Sequence, residues 1–237
     1  MADGKNIGIV LAGGIGRRFG GDRPKQYFKI LGKEMIAYSI ELFRAARSID
    51  DFVVVLDADE FENGRIARDY GVKTVRGGPT RNRSFGNALD FITANWPCCE
   101  KIVENNAACP LTRPETIDAY IEKLDEYDWV QTTMKITDAL GSYSDRTVDR
   151  EDYYLIQAPD AYRFGLLRSC FDPDHPNGHP AVQLPPEAKG FNAFTSERVV
   201  KVTGPEDIAV VEAIMKFGNL ATEQGRSSSR CMSAAGN

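Results

Sequence analysis

Three cations stand near the start of the chain in a setting suited to phosphate. An apolar run, Ile7-Gly8-Ile9-Val10-Leu11-Ala12, stops at Gly13-Gly14-Ile15-Gly16-Arg17-Arg18-Phe19-Gly20, and Pro24-Lys25-Gln26-Tyr27 follows. Glycines let backbone N–H groups approach phosphate oxygens closely. Arg17 and Arg18 offer planar donor forks and Lys25 a point charge. A β-run feeding such a loop is what a bound triphosphate needs. No Gly-x-x-x-x-Gly-Lys-Ser/Thr loop is present, and Gly14-x-Gly16-x-x-Phe19 lacks the third glycine of the dinucleotide fingerprint. A solvated surface turn has the same composition. Its place directly after the first strand, with Lys25 behind Pro24, favours a nucleotide site.

Other reactive side chains give weaker signals. Cys98, Cys99, Cys109, Cys170 and Cys231 have no metal-ligand spacing, and their odd number suggests no disulfide framework. They read as reduced cytosolic thiols in a chain without a signal peptide. His175 and His179 lie in a Pro/Gly/Asp-rich loop and read as solvated rather than metal-bound. No metal ligand is assigned.

The elements that must position the loop follow from periodicity. Strands are expected over Phe52–Leu56, Val72–Val75, Lys101–Glu104, Asp128–Met134 and Val199–Val202. Helical spacing of apolar residues predicts helices over Met35–Ala46, Arg83–Ala94, Pro114–Leu124 and Pro205–Phe217. Thr112 and Thr203 precede the last two, each with Pro in the first turn. Alternating strands and helices predict a three-layer α/β sandwich with a mainly parallel, Rossmann-like sheet. Ligands bind such sheets beyond the carboxyl ends of the strands. The glycine loop and Asn105-Asn106 both occupy such ends. Residues Thr137–Tyr154 break the alternation and read as an extended hairpin or β-arm projecting from the sheet. The Pro/Gly-rich segment Asp172–Gly190 is a candidate substrate lid.

The chain has 237 residues, enough for one large domain over 1–220, with 221–237 expected as a disordered tail. A net charge of −5 argues against nucleic acid as a partner and suits a small anion held in a local cationic pocket. No apolar run reaches membrane-spanning length.

With these pieces assembled, the chain resembles the 2-C-methyl-D-erythritol 4-phosphate cytidylyltransferase family from about Ile7 to Phe217. That family includes the ribitol 5-phosphate cytidylyltransferases. Its first block, Leu-Ala-(Ala/Gly)-Gly-x-Gly-x-Arg-Met, then Pro-Lys-Gln-(Tyr/Phe), is matched by Leu11 to Phe19 and Pro24 to Tyr27. Its second, Gly-Gly-x-x-Arg-x-x-Ser, is matched by Gly77-Gly78-Pro79-Thr80-Arg81-Asn82-Arg83-Ser84. Later blocks match more loosely at Thr147–Arg150, Gln157–Tyr162 and Arg198–Asp207. The resemblance implies a GT-A-like nucleotidyltransferase fold and a cytoplasmic homodimer. Its implied reaction moves CMP from CTP to a phosphorylated polyol or a related small phosphate or phosphonate, releasing pyrophosphate.

The resemblance also implies roles. Arg18, Lys25 and Lys201 would be catalytic. Leu11, Ala12, Gly13, Gly14, Gly16, Arg17, Gly78, Arg81, Ser84, Asn106 and Ala107 would line the nucleotide site. Asp138, Arg150 and Lys201 would receive the acceptor, with Arg150 offered by the arm of a second subunit. Magnesium is expected, held mainly by the triphosphate.

The chain departs from the family in several places. Where the family has His-Asp-(Ala/Ser)-(Ala/Val)-Arg-Pro, this chain has Asn105-Asn106-Ala107-Ala108-Cys109-Pro110, losing a carboxylate and a guanidinium. On the acceptor side the family's Asp-Thr is Asp138-Ala139, and the Thr of Gln-Thr-Pro is Ala158. The acidic Thr-Asp-Glu-Ala block has no counterpart in His179–Leu184. These departures favour an enzyme with a changed acceptor. A nucleotidyltransferase using another triphosphate to make a sugar nucleotide, and a non-catalytic nucleotide-binding relative, remain as alternatives. A Rossmann dehydrogenase is more distant, because the glycine fingerprint fails.

Overall fold

The computed structural model describes residues 4–14, 19, 23–144, 147–177, 179–195 and 200–217. The chain opens with β1 (Lys5–Ala12), a 3-10 turn at Lys25–Tyr27 and the ribbon β2 (Lys29–Ile30) and β3 (Lys33–Glu34). Leu31 and Gly32 join that ribbon with φ of 48° and 83°, the left-handed region that glycine adopts freely. Then come α1 (Met35–Ala45), β4 (Asp51–Leu56), α2 (Ala58–Asn63), α3 (Arg65–Tyr70), β5 (Lys73–Arg76) and α4 (Arg81–Asn95). The chain continues through β6 (Cys99–Asn106), α5 (Pro114–Lys123), β7 (Trp129–Lys135), β8 (Tyr154–Arg163), α6 (Phe164–Cys170) and β9 (Gly190–Phe194). A last helix, α7, covers 206–217.

Seven strands form one sheet in the order β5-β4-β1-β6-β8-β7-β9. Only β8 runs against its neighbours, β6 and β7. Every other pairing is parallel. Period-two alternation along β1 sends Ile7, Ile9 and Leu11 to one face, against Phe85, Leu89 and Ile92 of α4 and Leu167 of α6. Val10 and Ala12 go to the other face, against Ile36, Ile40 and Phe43 of α1 and Ile117 and Ile121 of α5. Gly8 lies under the Phe43 ring, and a Cβ there would come within 2.6 Å of it. The chain passes from β1 to β4 on one side and returns through α4 to β6 on the other. A crevice therefore opens at the carboxyl end of β1.

The expected α/β sandwich is what the chain builds. The four expected helices form, α4 starting two residues before Arg83. Helices α2, α3 and α6 and strands β2, β3, β8 and β9 were not foreseen. The strand expected at Val199–Val202 is corrected. Residues 200–202 lie in no strand, and Val199 lies outside the described residues. Both edges of β6 are already taken by β1 and β8. The segment instead crosses the strand end, where the Val202 N–H reaches the Ala108 carbonyl at 2.8 Å. Val202 packs there with Ile30, Met35 and Val211 in a small third core.

Thr112 does not cap α5. Its hydroxyl bonds Asn105 Oδ1 at 3.0 Å, and Arg113 occupies the cap position. The arm is the connection of an antiparallel hairpin whose strands are β7 and β8. Among its described residues before Tyr154 there is one 3-10 turn, Arg150–Asp152, and no strand. The expected tail, 221–237, lies outside the described residues.

Candidate active site

A cavity of about 670 Å³ sits in the crevice. Residues 11–14, 78–81 and 106–108 line it, together with Phe19, Lys25, Gln26, Ser84, Lys201 and Thr203.

The two glycine blocks meet at one corner. The Gly77 N–H donates to the Leu56 carbonyl at 2.7 Å, which draws the loop after β5 across the end of β4. A Cβ on Gly77 would fall 2.8 Å from that carbonyl oxygen and 3.4 Å from the Gly13 Cα. Only glycine permits this approach. The Thr80 hydroxyl caps α4 by accepting from the Arg83 N–H at 3.1 Å. The Ser84 hydroxyl accepts from the Gly78 N–H at 3.0 Å. Ser84 thus closes the loop that shapes the cavity, and its hydroxyl is already engaged.

The Pro24–Tyr27 block divides its labour. Gln26 and Tyr27 are buried. Gln26 Nε2 donates to the Ala12 carbonyl at 2.7 Å, and the Tyr27 hydroxyl donates to Asp57 Oδ2 at 2.6 Å. These bonds fix the turn to the ends of β1 and β4, leaving Lys25 at the cavity. Lys25 Nζ donates to the Val202 carbonyl at 2.7 Å, which ties it to the segment bearing Lys201. At the start of α7 the Asp207 carboxylate accepts from the Thr203 and Gly204 N–H groups at 2.7 and 2.9 Å. Those bonds hold its pKa below the ordinary value.

Across the cavity, Asn106 Oδ1 accepts from the Ala108 N–H at 2.9 Å. One lone pair of the amide oxygen is therefore spent on the turn after β6. Cys109 is buried, and burial pushes its thiol up to about 12 while the Lys201 and Lys25 charges pull it down. It is an inert neutral thiol.

Arg81 forms an ion pair with Glu104, which is 1% exposed. The Glu104 charge raises the Arg81 pKa above its ordinary value. Beside Glu104, Asp160 Oδ2 lies 3.2 Å from His179 Nε2. His179 is thus corrected from a solvated loop histidine to one anchored on a buried carboxylate, its side chain 16% exposed. His175 remains in the loop, its Nδ1 accepting from the Asn177 N–H at 3.2 Å.

Of the residues expected at the site, Leu11, Ala12, Gly13, Gly14, Lys25, Gly78, Arg81, Ser84, Asn106, Ala107 and Lys201 all line the one cavity. Gly16, Arg17 and Arg18 lie outside the described residues. Asp138 and Arg150 are not brought to this cavity within one chain. Both are exposed, and Arg150 Nη1 donates to the Thr137 carbonyl at 2.6 Å. Phe19, Gln26, Pro79, Thr80, Ala108 and Thr203 also line the cavity and were not foreseen. All of these lie inside the stretches that match or replace family motifs, so their places were within reach. The Glu104–Asp160–His179 group carried no local signal.

The lining residues offer a divalent cation little. Among the described residues none lining the cavity is a carboxylate, and no group of three His, Cys, Asp or Glu is placed to hold a metal. With one neutral side-chain amide and no carboxylate, the described lining residues do not fit a protein-held hard cation.

A mostly parallel α/β sheet with a glycine-walled, lysine-flanked cavity at its switch point is suited to a phosphate-bearing ligand. Residues 7–217 match the family model of IspD, 2-C-methyl-D-erythritol 4-phosphate cytidylyltransferase, and the chain belongs to that family. It is 28% identical over 235 residues to the bifunctional ribulose 5-phosphate reductase/CDP-ribitol pyrophosphorylase Bcs1 of Haemophilus influenzae, covering 91% of this chain and 49% of that protein. The chain thus spans about half the length of that relative. It is 31% identical over 231 residues to a 2-C-methyl-D-erythritol 4-phosphate cytidylyltransferase of Bifidobacterium longum subsp. infantis, covering 88% of this chain and 79% of the other. In fold it matches the crystal structure of 4-diphosphocytidyl-2C-methyl-D-erythritol synthase from Anaerococcus prevotii, with a TM-score of 0.74 at 20% identity over 90% of this chain and 99% of the other.

Proposed function

We propose that the chain transfers CMP from CTP to a small phosphorylated polyol or related phosphate or phosphonate, releasing pyrophosphate. The observation that carries this reading is the meeting of both glycine blocks with Lys25 and Lys201 around one cavity, in a chain of a cytidylyltransferase family. An oxygen of the acceptor phosphate attacks the α-phosphorus in line. The new P–O bond forms as the bond to the β-phosphate oxygen breaks, and pyrophosphate departs with that electron pair. No covalent enzyme intermediate is needed, so catalysis is positioning and charge stabilisation. Lys25 meets the charge that grows on the α-phosphate, and Arg18 is assigned the same task by the family motif. Gly78 and the loop closed by Ser84 receive the base. Lys201 faces the acceptor phosphate.

Magnesium enters as part of the substrate, bound by the triphosphate. We further propose a homodimer. Tyr153, Leu155, Ile156 and Phe194 expose apolar surface where the arm meets β8 and β9. Covering it with a second copy would carry Arg150 towards that copy's cavity. The reaction is placed in the cytosol, where the cysteines stay reduced and CTP is available.

The neutral Asn106 and Cys109 favour one second reading, a nucleotide-binding relative without turnover. Pyrophosphate release decides the matter. The chain is incubated with CTP, UTP, GTP or ATP and a panel of phosphorylated alditols and phosphonates. Release with CTP and an acceptor supports the first reading. CTP binding without release from any acceptor supports the second.

A further inference from the structure

Four ionisable side chains from four separate segments meet behind the cavity wall. Arg81 comes from the first turn of α4, Glu104 from β6, Asp160 from β8 and His179 from the loop before β9. Glu104 and Asp160 stand opposite each other in the β6–β8 register, on the sheet face that α4 covers. They are 1% and 2% exposed. Each spends one oxygen on a cation or imidazole, Glu104 Oε1 on Arg81 and Asp160 Oδ2 on His179. Glu104 Oε2, Asp160 Oδ1 and the buried Tyr162 hydroxyl have no hydrogen-bond partner among the described residues.

Packing stability does not account for this group. Replacing a buried ionic cluster with apolar side chains is often neutral or stabilising. What the cluster does is join two structures. Arg81 lines the cavity beside Thr80 and Ser84. The same helical turn holds the 171–189 loop by other bonds. Asn82 Nδ2 donates to the His175 and Asn177 carbonyls at 3.2 and 3.1 Å, and Arg83 pairs with Asp174. His179 adds the tie to the sheet.

We infer that Glu104 and Asp160 are positioning residues: Glu104 holds the Arg81 guanidinium at the cavity wall, and Asp160, through His179, fastens the 171–189 loop to the same point. Loop order and nucleotide binding are then coupled. The coupling rests on the cavity being the nucleotide site. The fastening of the loop does not.

Two measurements test this, on Glu104→Gln, Asp160→Asn, His179→Gln and the double variant Glu104→Gln/Arg81→Lys. The first is amide hydrogen exchange of residues 171–189 in nucleotide-free protein. His179→Gln and Asp160→Asn should speed exchange there and leave α1 and β4 unchanged. The second is CTP affinity. Glu104→Gln should weaken CTP by about tenfold, the size of coupling common within one hydrogen-bond network. In an Arg81→Lys background that loss should shrink, whereas a merely structural role would leave the two changes additive. Loop exchange unchanged in His179→Gln, or additive effects in the double variant, would overturn the inference. His179→Gln alters a loop residue outside the sheet, so the loop arm survives should a sheet variant fail to fold. Wild-type protein that binds no CTP overturns the nucleotide reading. The inference is then decided by loop exchange and by the same cycle with whichever nucleoside triphosphate binds.

Discussion

Tyr27 and Asp57, 30 residues apart in sequence, share a buried hydrogen bond of 2.6 Å. Asp57 Oδ1 also accepts from the Glu60 N–H and so caps α2. Burial and the Asp57 charge drive the Tyr27 phenol far above its ordinary pKa, so it remains a donor. The bond secures the turn that presents Lys25. Tyr27→Phe leaves the buried Asp57 Oδ2 only the longer bond from Gln26 Nε2 at 3.4 Å and should lower unfolding free energy by about 1–2 kcal/mol. Lys25→Ala loses the bond to the Val202 carbonyl, which should cost about 1 kcal/mol of stability, yet it should cut kcat about a hundredfold, as expected for loss of one transition-state contact in a water-poor site. Urea unfolding beside pyrophosphate release measures both. Wild-type turnover in Lys25→Ala would remove its assigned role.

The commitment of Asn106 Oδ1 to the Ala108 N–H bears on metal use. An aspartate at 106 could accept the same N–H with one oxygen and offer the other to a cation. Asn106→Asp should therefore lower the half-saturating magnesium concentration, roughly tenfold for one added charged ligand. The wild type should depend on magnesium through the triphosphate alone. Full activity in excess chelator would refute that dependence.

Asp160 predicts a particular dependence of stability on pH. Burial raises its carboxyl from 3.8 to about 6; the hydrogen bond and charge of His179 and the Arg81 charge pull it down, and the nearby Glu104 charge adds to the rise. Below about pH 4 both the folded and the unfolded chain hold this proton. Between about pH 4 and 6 the folded chain keeps a proton that the unfolded chain has lost, so stability falls as pH rises. Asp160→Asn lacks this term. Its stability relative to wild type should therefore grow as pH rises across that window. Urea titrations at several pH values give the curve. A flat difference would mean that the carboxyl titrates normally.

The sheet was legible in the sequence because its parallel strands are continuous apolar runs and its longer helices are periodic. The cavity was legible because its walls are loops of glycine and cations. Strand β8 was not, because Tyr154-Leu155-Ile156-Gln157-Ala158-Pro159-Asp160 mixes exposed apolar residues with a proline and a buried acid. Helices α2 and α3 have six residues each, too short to show a period. The group around Asp160 depends on strand register and a loop 19 residues away. No local pattern encodes such a meeting.

The position of Arg150 makes the assembly testable. It is exposed and lies on the arm, apart from the cavity lining of its own chain. If it serves a partner's cavity, Lys25→Ala and Arg150→Ala subunits should complement. A random mixture contains about half heterodimer by C2 pairing, with one intact site of two in each. About a quarter of wild-type activity should return on mixing and refolding the two inactive variants. An active monomer by sedimentation at assay concentration would end this proposal.

The acceptor is where this chain should differ most from its methylerythritol relatives. Ala139 and Ala158 stand where the family motif offers hydroxyls, and the 171–189 loop carries no match to the acidic block. Its His179 is instead spent on Asp160. Lys201 lines the cavity and Arg150 remains on the arm, so the proposed site should still take a phosphate or phosphonate. Sites built to hydrogen-bond particular hydroxyls reject ligands that leave those groups unpaired. Removing the groups shifts preference as well as weakening it. The measurement is kcat/KM for 2-C-methyl-D-erythritol 4-phosphate beside ribitol 5-phosphate and other phosphorylated or phosphonylated small molecules, at fixed CTP. The expected outcome is that another acceptor exceeds the methylerythritol compound by about tenfold or more, the weight of one hydrogen bond to a substrate hydroxyl. A comparable advantage for the methylerythritol compound would show that Ala139 and Ala158 do not set the choice.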